Sequence, residues 1–94
     1  MDPYQIIAVA LQNAISTMRS MIVNEGQASV LNNSFIPDFR RNAQADPSQG
    51  WTPVNCSPYC DFMGETVEAG NQIMQEAYRI ARIIQRNLFR RVLR

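Results

Sequence analysis

The sequence predicts an all-α fold, a hairpin-like pair of helices joined by an irregular, partly extended connection. Three observations predict it. A helix-start signature stands near the N-terminus, the last third repeats apolar residues at helical period, and the stretch between is polar and rich in turn-forming residues.

Asp2-Pro3-Tyr4-Gln5 opens the first element. Asp2 is placed as N-cap, Pro3 takes the first turn where its missing N–H costs no hydrogen bond, and Gln5 completes a capping-box spacing. Tyr4, Ile7, Ala8, Leu11, Ala14, Ile15, Met18 and Ile22 then recur as a helical stripe. Ile6, Val9 and Ala10 fall off that stripe, so the first two turns are apolar nearly all round, as in a helix surrounded by protein. The expected helix covers residues 3–23, with Gly26 as its stop.

Residues 24–57 are expected to wrap across the helices as an irregular connection, in which Gln27 to Asn33 form a short helix or a turn. Phe35-Ile36-Pro37-Asp38-Phe39 reads as an apolar clip that pins a loop onto helical faces, and Pro37 biases Ile36 toward an extended conformation. Arg40 to Cys56 is polar, with turn signals at Asp46-Pro47 and Gln49-Gly50. Trp51 stands apart. Its large ring is expected to pack on its own fold or on a neighbour.

The second helix is expected over residues 58–94, capped by Ser57 with Pro58 in its first position and Asp61 as a second cap. Phe62, Met63, Ala69, Ile73, Met74, Ala77, Ile80, Ala81, Ile84, Leu88 and Val92 fall on one broad face, and arginines fall opposite. Glu65 and Glu68 near its start and arginines toward its end both suit the helix dipole. Gly64 and Gly70 each lower helix propensity by about 1 kcal/mol relative to Ala; they mark either a close approach of the first helix or a bend. An unbroken helix would span about 55 Å, so its end beyond Ile84 is expected to project past an antiparallel partner. The predicted core is Ile7, Leu11, Ile15, Met18, Ile22, Ile73, Ala77, Ile80 and Ile84. The heptad is not sustained and Arg91 falls on the apolar face, which argues against a continuous coiled coil.

With 94 residues the chain is read as one small domain. A chain of that size hides only about 60–70% of its unfolded surface, so a protein partner or a homo-oligomer is expected. The longest clean apolar run, Ile6 to Leu11, is far short of the roughly 20 residues that a membrane span needs. Met1-Asp2-Pro3 supplies no basic region for a secretory signal, and an intracellular complex or a virion is the expected setting.

No enzyme or cofactor is expected. The chain has no histidine, the commonest general base and metal ligand. Cys56 and Cys60 have the wrong spacing for a redox pair and fall short of the four ligands zinc requires. Two reduced, partly buried thiols are the preferred reading, beside a disulfide or a metal shared between copies. Glu65 and Glu68 share a face, but at a helix start where acids are expected anyway.

One feature points to function. Arg79, Arg82, Arg86, Arg90, Arg91 and Arg94 follow Glu76 with no carboxylate side chain among them, and every basic residue is Arg. Like charges at i,i+4 cost a few tenths of a kcal/mol each, and an anionic partner would offset that cost through bidentate contacts. The expected function is a structural or assembly protein. It would dock through Ile7, Leu11, Ile15, Trp51, Ile73, Ile80, Ile84 and Leu88, with the arginine face on an acidic protein surface. Sequence-non-specific binding to nucleic-acid phosphates is the alternative. An anionic membrane surface fits less well, since Phe89 and Leu93 fall near the cationic side.

Overall fold

A computed structural model describes residues 2–59 and 62–92, with Arg91 and Val92 as backbone alone. The chain forms α1 (Pro3–Ser20), α2 (Glu25–Val30), a π-helical turn (Leu31–Phe35), α3 (Ile36–Ala43), 3₁₀ turns at Pro47–Gln49 and Ser57–Tyr59, and α4 (Met63–Val92). No strand occurs among the described residues. The all-α class follows from the sequence period; the number of helical rods does not. Because α2, the π turn and α3 run on without interruption, there are three.

The start of α1 is the predicted capping box. Asp2 Oδ1 accepts from the Gln5 amide at 2.9 Å, and Gln5 Oε1 accepts from the Asp2 amide at 3.1 Å. The helix ends at Ser20 rather than at residue 23, tightening to i→i+3 bonds from the Met21 and Ile22 amides. Gly26 is not the stop. Asn24 caps the next helix by accepting from the Gln27 amide at 2.8 Å, and Gly26 lies inside α2.

The main correction concerns residues 24–57, which are helical from 25 to 43. Leu31, Phe35, Phe39 and Ala43 recur every fourth residue and all four are buried, so this segment contributes a core face instead of a clip. Pro37 is tolerated because the helix widens just before it. In a regular α-helix its ring would meet the carbonyl of Asn33; here the Ile36 amide reaches back to the Leu31 carbonyl in a π turn. Ile36 consequently stays helical at φ −59°, ψ −41°, not extended.

The second predicted helix begins later than residue 58. Ser57-Pro58-Tyr59 closes a 3₁₀ turn, with the Tyr59 amide on the Cys56 carbonyl at 2.9 Å. The Tyr59 ring stands edge-on to Phe35 and its hydroxyl donates to Asp38, which ties this turn to α3 and keeps it from running straight into α4. Asp61, the second proposed cap, lies outside the described residues.

Met18, late on α1, lies against Gly70, early on α4, so the two helices run antiparallel. A Cβ added at Gly70 would stand 2.7 Å from Met18 Sδ. This glycine is a point of close approach; Gly64, with nothing within 4 Å, is not. From α4 the core takes Met63, Val67, Met74, Ala77, Tyr78 and Ala81. Ile7, Ile15 and Met18 are buried with them, while Leu11, Ile22 and Ile73 are half-buried at the margin.

Ile80 is the core residue predicted wrongly, at 37% exposed. The apolar arc of α4 is broader than the surface its neighbours cover: Gly70, against Met18 of α1, and the small residues Ala77 and Ala81 are buried, while Ile80 at the edge is not. Burial on α4 stops at Ala81; Ile84 is half-buried, and every side chain from Arg86 to Arg90 is exposed. The 30 residues of α4 run about 45 Å against about 27 Å for the 18 of α1, so α4 outruns its cover.

Candidate functional site

The surface around Arg82 is built by a ladder of aromatic rings. Tyr59, Phe35, Phe39, Trp51 and Tyr78 follow one another with centroids 5.2, 5.8, 5.9 and 6.3 Å apart, joining the second 3₁₀ turn, the π turn, α3, the loop and α4. Trp51 thus packs on its own fold, half-buried, and its Nε1 is buried without a hydrogen-bond partner.

Tyr78 anchors the ladder to the end of α3. Its hydroxyl lies 3.1 Å from the Ala43 carbonyl, 3.2 Å from that of Ala45 and 3.3 Å from that of Asn42. The single phenolic proton can serve only one of these at a time, where a helix end has carbonyls to satisfy. Burial pushes the Tyr78 phenol above its ordinary 10.0, with Asp46 adding to the rise.

The loop is then folded back toward α4. Asp46 Oδ1 accepts from the Ser48 amide at 2.9 Å, and the Gly50 amide closes the turn on Pro47 at 3.2 Å. Gly50 has φ +76°, which L side chains adopt only with strain. Arg82 Nη1 reaches to 4.0 Å from where a Cβ at Gly50 would stand.

A groove of about 590 Å³ results, lined by Gly50 and Trp51 of the loop and by Tyr78, Arg79, Arg82, Ile83 and Arg86 of α4. A second depression of about 280 Å³, lined by Ser48 and Phe89, shares Arg82 and Arg86. The arginines are not equivalent. Arg79 is bidentate on Glu76, at 3.1 Å through Nε and 2.5 Å through Nη2, and that hydrogen-bonded pairing holds the Glu76 carboxyl below its usual range. Arg82 and Arg86 form no ion pair among the described residues. Arg90 is exposed one turn further on, the side chain of Arg91 is not described, and Arg94 lies outside the described residues.

The predicted docking residues are scattered. Ile7 and Ile15 are in the core, Leu11 and Ile73 flank it, Ile84 is half-buried, Trp51 is in the aromatic ladder, and Ile80 and Leu88 face outward. Ser48 and Tyr78 carry no functional signal in the sequence. Asp46-Pro47 and Gln49-Gly50 signalled the turn, but nothing in the sequence said which helix it faces.

Cys56 is half-buried, and any pairing with Cys60 falls outside the described residues. Among the described residues no group of three His, Cys, Asp or Glu side chains is placed to hold a metal, and no helix is long and apolar enough to cross a membrane. No protein-family model, no curated protein and no solved structure matches the chain.

Proposed function

We propose that this chain is a non-enzymatic assembly protein whose projecting helix α4 receives an acidic, amphipathic segment of another protein. One observation carries the reading. Arg82 and Arg86, which form no ion pair among the described residues, line two neighbouring grooves together with exposed Ile83 and Phe89.

The magnitudes favour a protein over a bare polyanion. Exposed ion pairs contribute about 0.2–1 kcal/mol each, whereas fully burying a Leu, Ile or Phe side chain contributes about 1.5–3 kcal/mol. Apolar contact would then supply most of the affinity, and Arg82 and Arg86 would set orientation and encounter rate. Phosphate contacts gain nothing from aliphatic side chains around them, so nucleic acid is the weaker alternative.

The test is fluorescence anisotropy of the full chain against three labelled probes: an amphipathic Glu/Leu helical peptide, poly-glutamate, and a mixed-sequence oligonucleotide. The amphipathic peptide should bind most tightly. Arg82→Glu with Arg86→Glu should weaken it by about tenfold or more, since each 1.4 kcal/mol is one decade, with helicity unchanged because both residues are exposed. Tighter binding to the oligonucleotide, falling steeply with salt, would replace this reading with the nucleic-acid one.

A further inference from the structure

We propose that Ser48 is a phosphorylation site, and that a phosphate on it is held by Arg82 and Arg86 and closes the arginine surface to the acidic segment. The closure rests on the function proposed above; the capture of the phosphate does not.

Ser48 sits in the 3₁₀ turn Pro47–Gln49, in the polar loop between α3 and α4. It is exposed, and Asp46 engages its amide rather than its hydroxyl. Besides that cap, the turn is closed by the Gln49 amide on the Asp46 carbonyl at 2.9 Å and the Gly50 amide on the Pro47 carbonyl at 3.2 Å. A kinase takes its target in extended chain, and a turn this short opens without disturbing a helix. Buried Pro47 before Ser48, and Trp51 stacked on Tyr78 after it, return the turn to the same place on α4.

The surroundings of Ser48 are cationic. It shares the depression of about 280 Å³ with Arg82, Gln85, Arg86 and Phe89, and no carboxylate lines that depression. Arg82 Nη1 also comes within 4.0 Å of the Cβ position at Gly50, two residues beyond Ser48. Neither arginine forms an ion pair among the described residues. The nearest acids are engaged elsewhere, Glu76 with Arg79 and Asp46 with the Ser48 amide. Asp46 opposes a second negative group two residues away, but it is one carboxylate against two guanidiniums. A phosphoserine carries a charge of about −1.5 to −2 and three acceptor oxygens, which suit the forked donors of arginine. In the transfer, the Ser48 oxygen bonds to the γ-phosphorus of ATP and the bond from that phosphorus to the bridging oxygen breaks. ADP leaves, and the hydroxyl proton passes to a base of the kinase. The chain then carries its own anion where an acidic side chain of the partner would sit.

The experiment treats the full chain with Mg²⁺, ATP and a protein kinase that accepts serine before glutamine, as Ser48 stands before Gln49. Mass spectrometry should find phosphate on Ser48, and Ser48→Ala should lose it. In ³¹P NMR of the folded product, the second ionisation of the phosphate should lie below its ordinary value of about 6, because the guanidiniums favour the dianion. Arg82→Gln with Arg86→Gln should return it toward that value with helicity unchanged, since both side chains are exposed. Affinity for the amphipathic Glu/Leu peptide should fall by about tenfold or more on phosphorylation. A chain left unmodified at Ser48 would overturn the proposal. So would a phosphate that titrates at its ordinary value, one indifferent to the arginine substitutions, or an unchanged affinity for the peptide. If the unmodified chain does not bind the peptide at all, the function proposed above fails and the closure fails with it, while the ³¹P titration still decides the capture.

Discussion

Gly70→Ala sets two effects of similar size against each other. In an open helix interior the change stabilises by about 1 kcal/mol, through the lower backbone entropy of Ala. Here the added Cβ would stand 2.7 Å from Met18 Sδ, 3.1 Å from its Cγ and 3.2 Å from its Cε. A methionine at the surface would swing aside, but Met18 is fully buried, and overpacking a filled core costs about 1–3 kcal/mol. The expected net result is a destabilisation of about 0–2 kcal/mol. Met18→Ala alone should cost about 2–5 kcal/mol. In that background the clash is gone, and Gly70→Ala should stabilise by about 1 kcal/mol. Urea denaturation followed by far-ultraviolet circular dichroism measures all four corners of the cycle. The expected coupling is at least about 1 kcal/mol, outside the 0.3–0.5 kcal/mol scatter typical of independent sites. If Gly70→Ala stabilises equally in both backgrounds, the close approach of α1 to α4 at this point is wrong, and the antiparallel register falls with it.

Two further outcomes are expected. Tyr78→Phe should cost about 1–3 kcal/mol in urea denaturation, because the last carbonyls of α3 lose the phenolic donor. The Tyr78 phenol is raised by burial above its unfolded 10.0, so its contribution is full below pH 10 and is lost as pH climbs through the raised value. Tyr59, raised chiefly by its hydrogen bond to Asp38, has the same sign, so the urea midpoint of the wild type should fall as pH rises above 10, and Tyr78→Phe should lessen that dependence. Asp2→Ala should cost about 0.5–2 kcal/mol by removing the α1 capping box, read as a lower Tm.

The first helix was legible because its signal is local. Asp2, Pro3 and Gln5 act within four residues, and no distant contact is needed to explain them. The helical segment 25–43 was hidden by the same kind of rule. Gly26 and Pro37 are strong punctuators of sequence, and both are overridden here, Gly26 by the Asn24 cap and Pro37 by the π turn ahead of it. The signal that could have found this helix was the four-residue spacing of Leu31, Phe35, Phe39 and Ala43, continued across the proline. Reading Phe35 and Phe39 as a clip recognised that they would be buried but not that they share a helix face. The groove was less accessible still. Its wall is Gly50 and Trp51, placed by ring packing between Phe39 and Tyr78, and no local pattern encodes that pairing.

Ile80 shows why the core of α4 and its outer surface were not separable by periodicity. A helix that packs on one neighbour needs a narrow apolar stripe, but α4 meets α1 at Gly70 and the end of α3 through Tyr78. Adding Ile73 and Ile80 widens the arc past both neighbours. The periodic signal sums these contributions into one broad face whose centre is well defined and whose edges are not. Residue size carries the missing information. The small residue Gly70 lies where helix α1 comes close, whereas the large β-branched side chains of Ile80 and Ile83 stand 37% and 44% exposed. Side-chain size, read beside the period, therefore separates the closely packed centre of the α4 apolar arc from its exposed edge.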